Sequence, residues 1–177
     1  MKKNIKAVTI GDIRGIGIKL LLNLIKLKNN NINNFFLITN DKLFKKYLNN
    51  NKIKLTYNVI NKPSELKKIT KNNLIVYNIS ADNDIINTYN SIKTAYYLTK
   101  KKLCGSIITL PLNKEKIIKK IDKSFKGHTE LLEKLDNKKF SNMVFYSKKI
   151  IVTTLTTHIP INKINLFLKK ENIIYRK

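Results

Sequence analysis

Ile5-Lys6-Ala7-Val8-Thr9-Ile10 followed by Gly11-Asp12-Ile13-Arg14-Gly15-Ile16-Gly17 is the stretch from which the fold can be read. The first six residues alternate and then run apolar, as a strand does, and Ile18 to Leu27 carry apolar residues at helical spacing. Strand, glycine turn and helix together form a layout that can turn backbone N–H groups and a positive helix end towards an anion. The dinucleotide fingerprint is not met, because Gly15 and Gly17 are followed by Leu20 where a third glycine belongs, and there is no Walker lysine motif. Alone, the turn can equally be a tight bend that needs glycine for its backbone angles.

The same alternation continues outward. Phe35 to Thr39 reads as a strand, and Asp41 to Leu48 as a helix with Asn40 or Asp41 as its cap. Ile53 to Ile60 is expected to be extended, Pro63-Ser64-Glu65 to start a short helix, and Leu74 to Ile79 to form another strand. Asp82 to Asp84 can cap a long helix with Ile85, Tyr89, Ile92, Tyr96 and Thr99 along one face, a stripe that reads as core packing. Gly105 to Leu110 is the next strand, and Glu115 to Ile121 a helix. Lys149 to Thr157 reads as a strand and Asn162 to Lys170 as a last helix. The expectation is an α/β protein with a mostly parallel sheet flanked by helices. A first domain is expected over residues 1–104, and residues 105–177 as the incomplete start of a second α/β domain.

Composition narrows the classes of function. Apolar residues make up 42% of the 177, which excludes a disordered chain. Lys and Arg number 36 against 11 Asp and Glu, a net charge of +25. Such a charge suits an anionic partner, yet the arginines are only Arg14 and Arg176, and the lysines spread along the whole chain. Asparagine and isoleucine are inflated alongside lysine, as A/T-rich coding would produce, so a nucleic-acid partner is not expected. Cys104 is a lone cysteine, which fits a reducing compartment and reads as a small buried hydrophobe. The apolar stretch Ile16 to Leu27 is broken by Lys19, Asn23 and Lys26, so no membrane span is expected. No signal peptide is recognisable either, and the expected location is cytoplasmic.

Both histidines fall in one region: Lys126-Gly127-His128-Thr129-Glu130 and Thr156-Thr157-His158-Ile159-Pro160. Imidazole binds borderline metals and moves protons near neutral pH, although a lone histidine at an element end is more often an ordinary hydrogen-bonded residue. Lys114, in Thr109-Leu110-Pro111-Leu112-Asn113-Lys114, lies just past the carboxyl end of a strand, where open α/β sheets bind ligands.

Taken in order, the segments 9–17, 109–114, 125–130 and 156–160 resemble the 4-hydroxythreonine-4-phosphate dehydrogenase family of vitamin B6 biosynthesis. The resemblance implies NAD-dependent oxidation of the secondary alcohol of 4-phosphooxy-L-threonine, followed by decarboxylation. It also implies a divalent metal (zinc, magnesium or cobalt), a homodimer and a cleft between two α/β domains. Carried over by motif, His128 and Thr129 match substrate-binding residues and His158 a metal ligand. Asp12 and Lys114 match segments expected near the cleft. Leu110 stands where the family usually has glycine before Pro111. Family members are longer, with further metal, phosphate and NAD contacts beyond the matched region, so the chain is expected to be an amino-terminal portion. Two other readings stay open: a truncated, catalytically inactive remnant, and a basic nucleic-acid-binding protein.

Overall fold

The computed structural model describes residues 5–27, 34–68, 73–138, 141–156 and 159–168. The chain divides into two compact units, Met1–Leu135 and Asp136–Lys177.

In the first unit five strands form one parallel sheet: β1 (Lys6–Thr9), β2 (Phe35–Thr39), β3 (Tyr57–Ile60), β4 (Leu74–Asn78) and β5 (Ser106–Thr109), in the order β3-β4-β2-β1-β5. Lys6 pairs in register with Phe35 on one side and Ser106 on the other. The central strands are continuously apolar and almost wholly buried, as strands covered on both faces must be, whereas edge strands β3 and β5 are partly exposed. β5 follows the expected boundary after Cys104 and lies in the same sheet as β1.

Alternate side chains face opposite sides, and each side has its own helices. Val8, Leu37, Leu74 and Val76 pack with Leu21, Leu22 and Ile25 of α1 (Ile16–Leu27) and with Phe44 and Leu48 of α2 (Asp41–Asn50). Ala7, Phe36, Ile38 and Ile75 pack with Ala95 and Leu98 of α3 (Asp84–Lys100) and with Cys104, which is buried as expected. The Cys104 Sγ lies 3.1 Å from the Thr99 hydroxyl, and burial pushes its thiol pKa up. Ile92 of α3 meets Ile117 of α4 (Lys114–Lys120) and Leu131 of α5 (His128–Leu135), with Phe125 between those helices. The tyrosine stripe serves this contact: Tyr89 stacks edge-on against Phe125.

Side-chain caps start the helices. Asn40 accepts from Leu43 N, and Asn83, inside the expected 82–84 cap, accepts from Ile85 N and Ile86 N. Buried Asn87 ties these starts to the sheet: its amide donates to Thr39 Oγ1 (2.9 Å) and its carbonyl accepts from Asn40 N (2.8 Å).

The second unit contains an antiparallel hairpin, β6 (Val144–Tyr146) and β7 (Ile151–Thr153), with Phe145 opposite Val152. The strand expected over Lys149–Thr157 is shorter because Ser147 closes the turn. Its N–H donates to Ile150 O and its hydroxyl accepts from Ile150 N. β6 has no counterpart in the sequence reading. The helix expected over 162–170 is a 3-10 turn (Ile161–Lys163) and one α-turn, α6 (Ile164–Phe167), with residues from 169 onward outside the described ones. Ile53–Ile60 is likewise a strand only from Tyr57, since Ile53 N donates to Leu48 O and finishes α2. Among the described residues no helix is long and apolar enough to cross a membrane.

Candidate active site

β1 and β5 are neighbours, so the turns that follow them meet. Asp12 N donates to Pro111 O at 2.9 Å. Gly11 has φ +63, and a Cβ there would lie 2.4 Å from Pro111 O and 2.9 Å from Leu110 Cβ. A Cβ on Gly17 would lie 2.8 Å from Pro111 Cδ. Gly11 and Gly17 are therefore needed for close approach to Leu110-Pro111. Thr88 of α3 anchors the same turn by donating its hydroxyl to Gly11 O (2.6 Å).

Beside this junction is a cavity of about 400 Å³ bordered by Asp12, Arg14, Asp84, Asn113, Lys116 and Lys120, with Ile85 and Ile117 as its apolar wall. Asp12, expected in the cleft, accepts from Arg14 N (3.0 Å) and from Lys116 Nζ (2.9 Å). Arg14 Nη2 in turn reaches Asp84 Oδ2 at 3.2 Å. The lining thus sets the cations Arg14, Lys116 and Lys120 beside the carboxylates of Asp12 and Asp84.

A second group of residues gathers at the start of α5. Gly127 is buried, and a Cβ there would lie 3.0 Å from Glu130 Oε2 and 3.5 Å from Lys114 Nζ. Lys114 and Glu130 thus lie over the glycine that leads into the helix. His128 is the first residue of α5, half-buried, and its Nε2 is buried with no hydrogen-bond partner. Burial pushes its pKa down, the Lys114 charge pushes the same way, and Glu130 opposes them. At neutral pH the ring is therefore uncharged, and an orphaned nitrogen in a native fold calls for a ligand or another explanation. Thr129, half-buried, follows on the same turn.

The structure brings Lys114 to His128. Asp12 is partnered by Lys116, two residues past Lys114. His158 lies outside the described residues. Among the described residues no three His, Cys, Asp or Glu side chains are grouped so as to hold a metal ion, so the expected metal finds no donor set there. Sequence reasoning missed Lys116, Lys120 and Asp84. Each is an ordinary surface charge until the sheet order places the ends of β1, β4 and β5 together.

Comparison with known proteins agrees with this architecture. The profile of the pyridoxal phosphate biosynthetic protein PdxA family matches residues 31–176. The 4-hydroxythreonine-4-phosphate dehydrogenase of Aquifex aeolicus is 30% identical over 98% of this chain and 55% of its own length. A D-threonate 4-phosphate dehydrogenase of Pectobacterium atrosepticum is 36% identical over 48% of this chain and 26% of its own. The crystal structure of 4-hydroxythreonine-4-phosphate dehydrogenase from Klebsiella pneumoniae superposes with a TM-score of 0.80 at 23% identity, over 98% of this chain and 57% of that one. The chain thus spans about half the length of the relatives it matches throughout. With the profile covering most of its length and the parallel sheet shared, the chain belongs to the PdxA family of pyridoxal phosphate biosynthetic proteins.

Proposed function

We propose that this chain is the amino-terminal portion of an NAD-dependent dehydrogenase that oxidises and decarboxylates 4-phosphooxy-L-threonine. In this reading it acts as a cytoplasmic homodimer. The observation that carries the proposal is the uncharged His128, its Nε2 unpartnered, beside the Lys114 ammonium. Family membership supplies the reaction class, since relatives are named as dehydrogenases of phosphorylated hydroxy acids. The exposed apolar side chains of β6 and β7 support a further protein surface against the second unit.

The chemistry asks for what these residues offer. The substrate is an anion, and Lys114 supplies an opposite charge beside His128. An uncharged imidazole can accept a hydrogen bond from the substrate hydroxyl or donate one to an anionic oxygen, whereas an imidazolium could only donate. His128 and the Thr129 hydroxyl are assigned to orienting the substrate so that its carbinol C–H faces the hydride acceptor. A nicotinamide ring, when bound, would supply that hydride acceptor, with the hydroxyl proton released to solvent. The product is a β-keto acid, which loses carbon dioxide and takes up a proton at the carbon left behind. His158 is assigned to the metal by motif alone, and no step is routed through it.

The test is NADH formation from 4-phosphooxy-L-threonine and, separately, from D-threonate 4-phosphate, with zinc, magnesium or cobalt supplied. Turnover of the first substrate, lowered on the order of 100-fold in His128→Asn, is the expected result. No NADH from 4-phosphooxy-L-threonine at high enzyme concentration would overturn the reading.

A further inference from the structure

We propose that Glu130 is a positioning residue whose carboxylate holds the Lys114 ammonium over Gly127 and beside His128, so that cation and imidazole meet one phosphorylated substrate together. The inference rests on the substrate-binding reading of His128 given above and names the group that keeps Lys114 in place.

Space argues first. Gly127 is buried, and its backbone is not in the left-handed region, so glycine is required there for room and not for its angles. The point at which a Cβ would stand is 3.0 Å from Glu130 Oε2 and 3.5 Å from both Cε and Nζ of Lys114. The room left by the missing side chain is thus taken by one carboxylate and one ammonium, which reach the same point from α5 and α4. Glu130 is the third residue of α5, the place from which a glutamate folds back over the residue that precedes a helix. Leu131 N donates to Gly127 O at 3.1 Å and closes the turn beneath it.

Charge argues second. Lys114 is an exposed residue with a flexible four-carbon stem, and an ammonium on such a stem needs a partner to stay at one place. The neighbouring charges of α4 are engaged elsewhere, Lys116 with Asp12 and Glu115 with Lys119. Glu130 is the carboxylate set beside Lys114. Lys114 from α4 and Glu130 from its own helix are also the charges that act on the His128 ring, in opposite directions, so all three groups share one locality. A carboxylate in that place also repels an anionic substrate. Placement and plain charge therefore predict opposite effects of its removal. Release of a held Lys114 weakens substrate binding, whereas loss of a repelling charge strengthens it.

The experiment is a double-mutant cycle on the whole chain, read from the NMR titration midpoint of the His128 ring. Lys114→Met should move that midpoint up in the unaltered chain. In Glu130→Gln, which keeps the size of the side chain and removes its charge, the same replacement should move it by less than roughly half as much. Gly127→Ala, whose Cβ claims the place of Glu130 Oε2, should reduce the Lys114 effect in the same direction and to a smaller extent. Glu115→Gln, the same charge change one residue from Lys114 at an exposed side chain, should leave the Lys114 effect intact. An equal Lys114 effect with and without the Glu130 carboxylate, or an equal loss in Glu115→Gln, would overturn the proposal. So would faster amide exchange at Leu131 in Glu130→Gln, which would mean that Glu130 only starts the helix. In turnover of 4-phosphooxy-L-threonine, Glu130→Gln should raise KM about threefold or more with a smaller change in kcat, and a lowered KM would likewise overturn it. A chain that makes no NADH yet shows the coupling would sink the dehydrogenase reading and keep the placement of Lys114 by Glu130.

Discussion

The sheet of the first unit and the hairpin of the second are both β-structure rich in isoleucine, valine and aromatic residues, yet they treat those residues in opposite ways. Phe36, Leu37, Ile38, Leu74 and Val76 are fully buried between helices on both faces. Val144, Phe145, Tyr146, Ile151 and Val152 are all at least half exposed, on both faces of a two-stranded ribbon. An isolated hairpin of three-residue strands is marginal in water, because neither face is covered. The difference teaches where stability arises: the sheet is held by side chains of its own unit, whereas the hairpin carries apolar surface that its own fold leaves bare.

Substitutions can break that contrast or sharpen it. The largest effect should come from Phe36→Ala, which empties a fully buried site and should cost about 3–5 kcal/mol in denaturant unfolding. Next is Asn87→Ala, which strands Asn40 N and the Thr39 hydroxyl beneath α3 and should cost roughly 1–3 kcal/mol in the same assay. Phe145→Ala, at an exposed position, should change stability by only about 0.5 kcal/mol or less. A loss at Phe145 as large as that at Phe36 would show that another surface covers the hairpin in solution. If that loss also depended on protein concentration, the cover would be a second copy.

The same contrast explains what could be read in advance. Most strands and helices of the first unit were legible from periodicity or a cap: β1, α1, β2 and α3 reveal themselves by apolar spacing, and the start of α2 by Asn40-Asp41, whereas α5 was not read as a helix. Cys104 was legible as a buried hydrophobe from its neighbours. The hairpin was not, because Val144 to Tyr146 is too short to show a period and Ser147 spends its polar groups on the turn. At the candidate site, Lys114 and His128 were visible through motifs. The pairing of Asp12 with Lys116 depends on β5 lying beside β1, a long-range choice that no local pattern encodes, and the proximity of Lys114 to His128 depends on how the chain returns between α4 and α5. The unpartnered Nε2 of His128 is invisible for the same reason, since it follows from what surrounds the ring.

The central claim is that the fold keeps His128 uncharged beside Lys114, and it is read most directly by following the imidazole ring protons of the folded chain through a pH titration by NMR. With only two histidines, a His158→Gln variant assigns the signals. The linkage has a definite sign. A folded pKa pressed below the ordinary value of 6.5 makes the native state bind fewer protons than the unfolded one, so stability is intact above 6.5 and falls as pH drops towards the folded value. The account predicts a His128 midpoint below 6.5 that moves up, without reaching that value, when Lys114 is replaced by methionine. A midpoint at or above 6.5 and indifferent to Lys114 would contradict it.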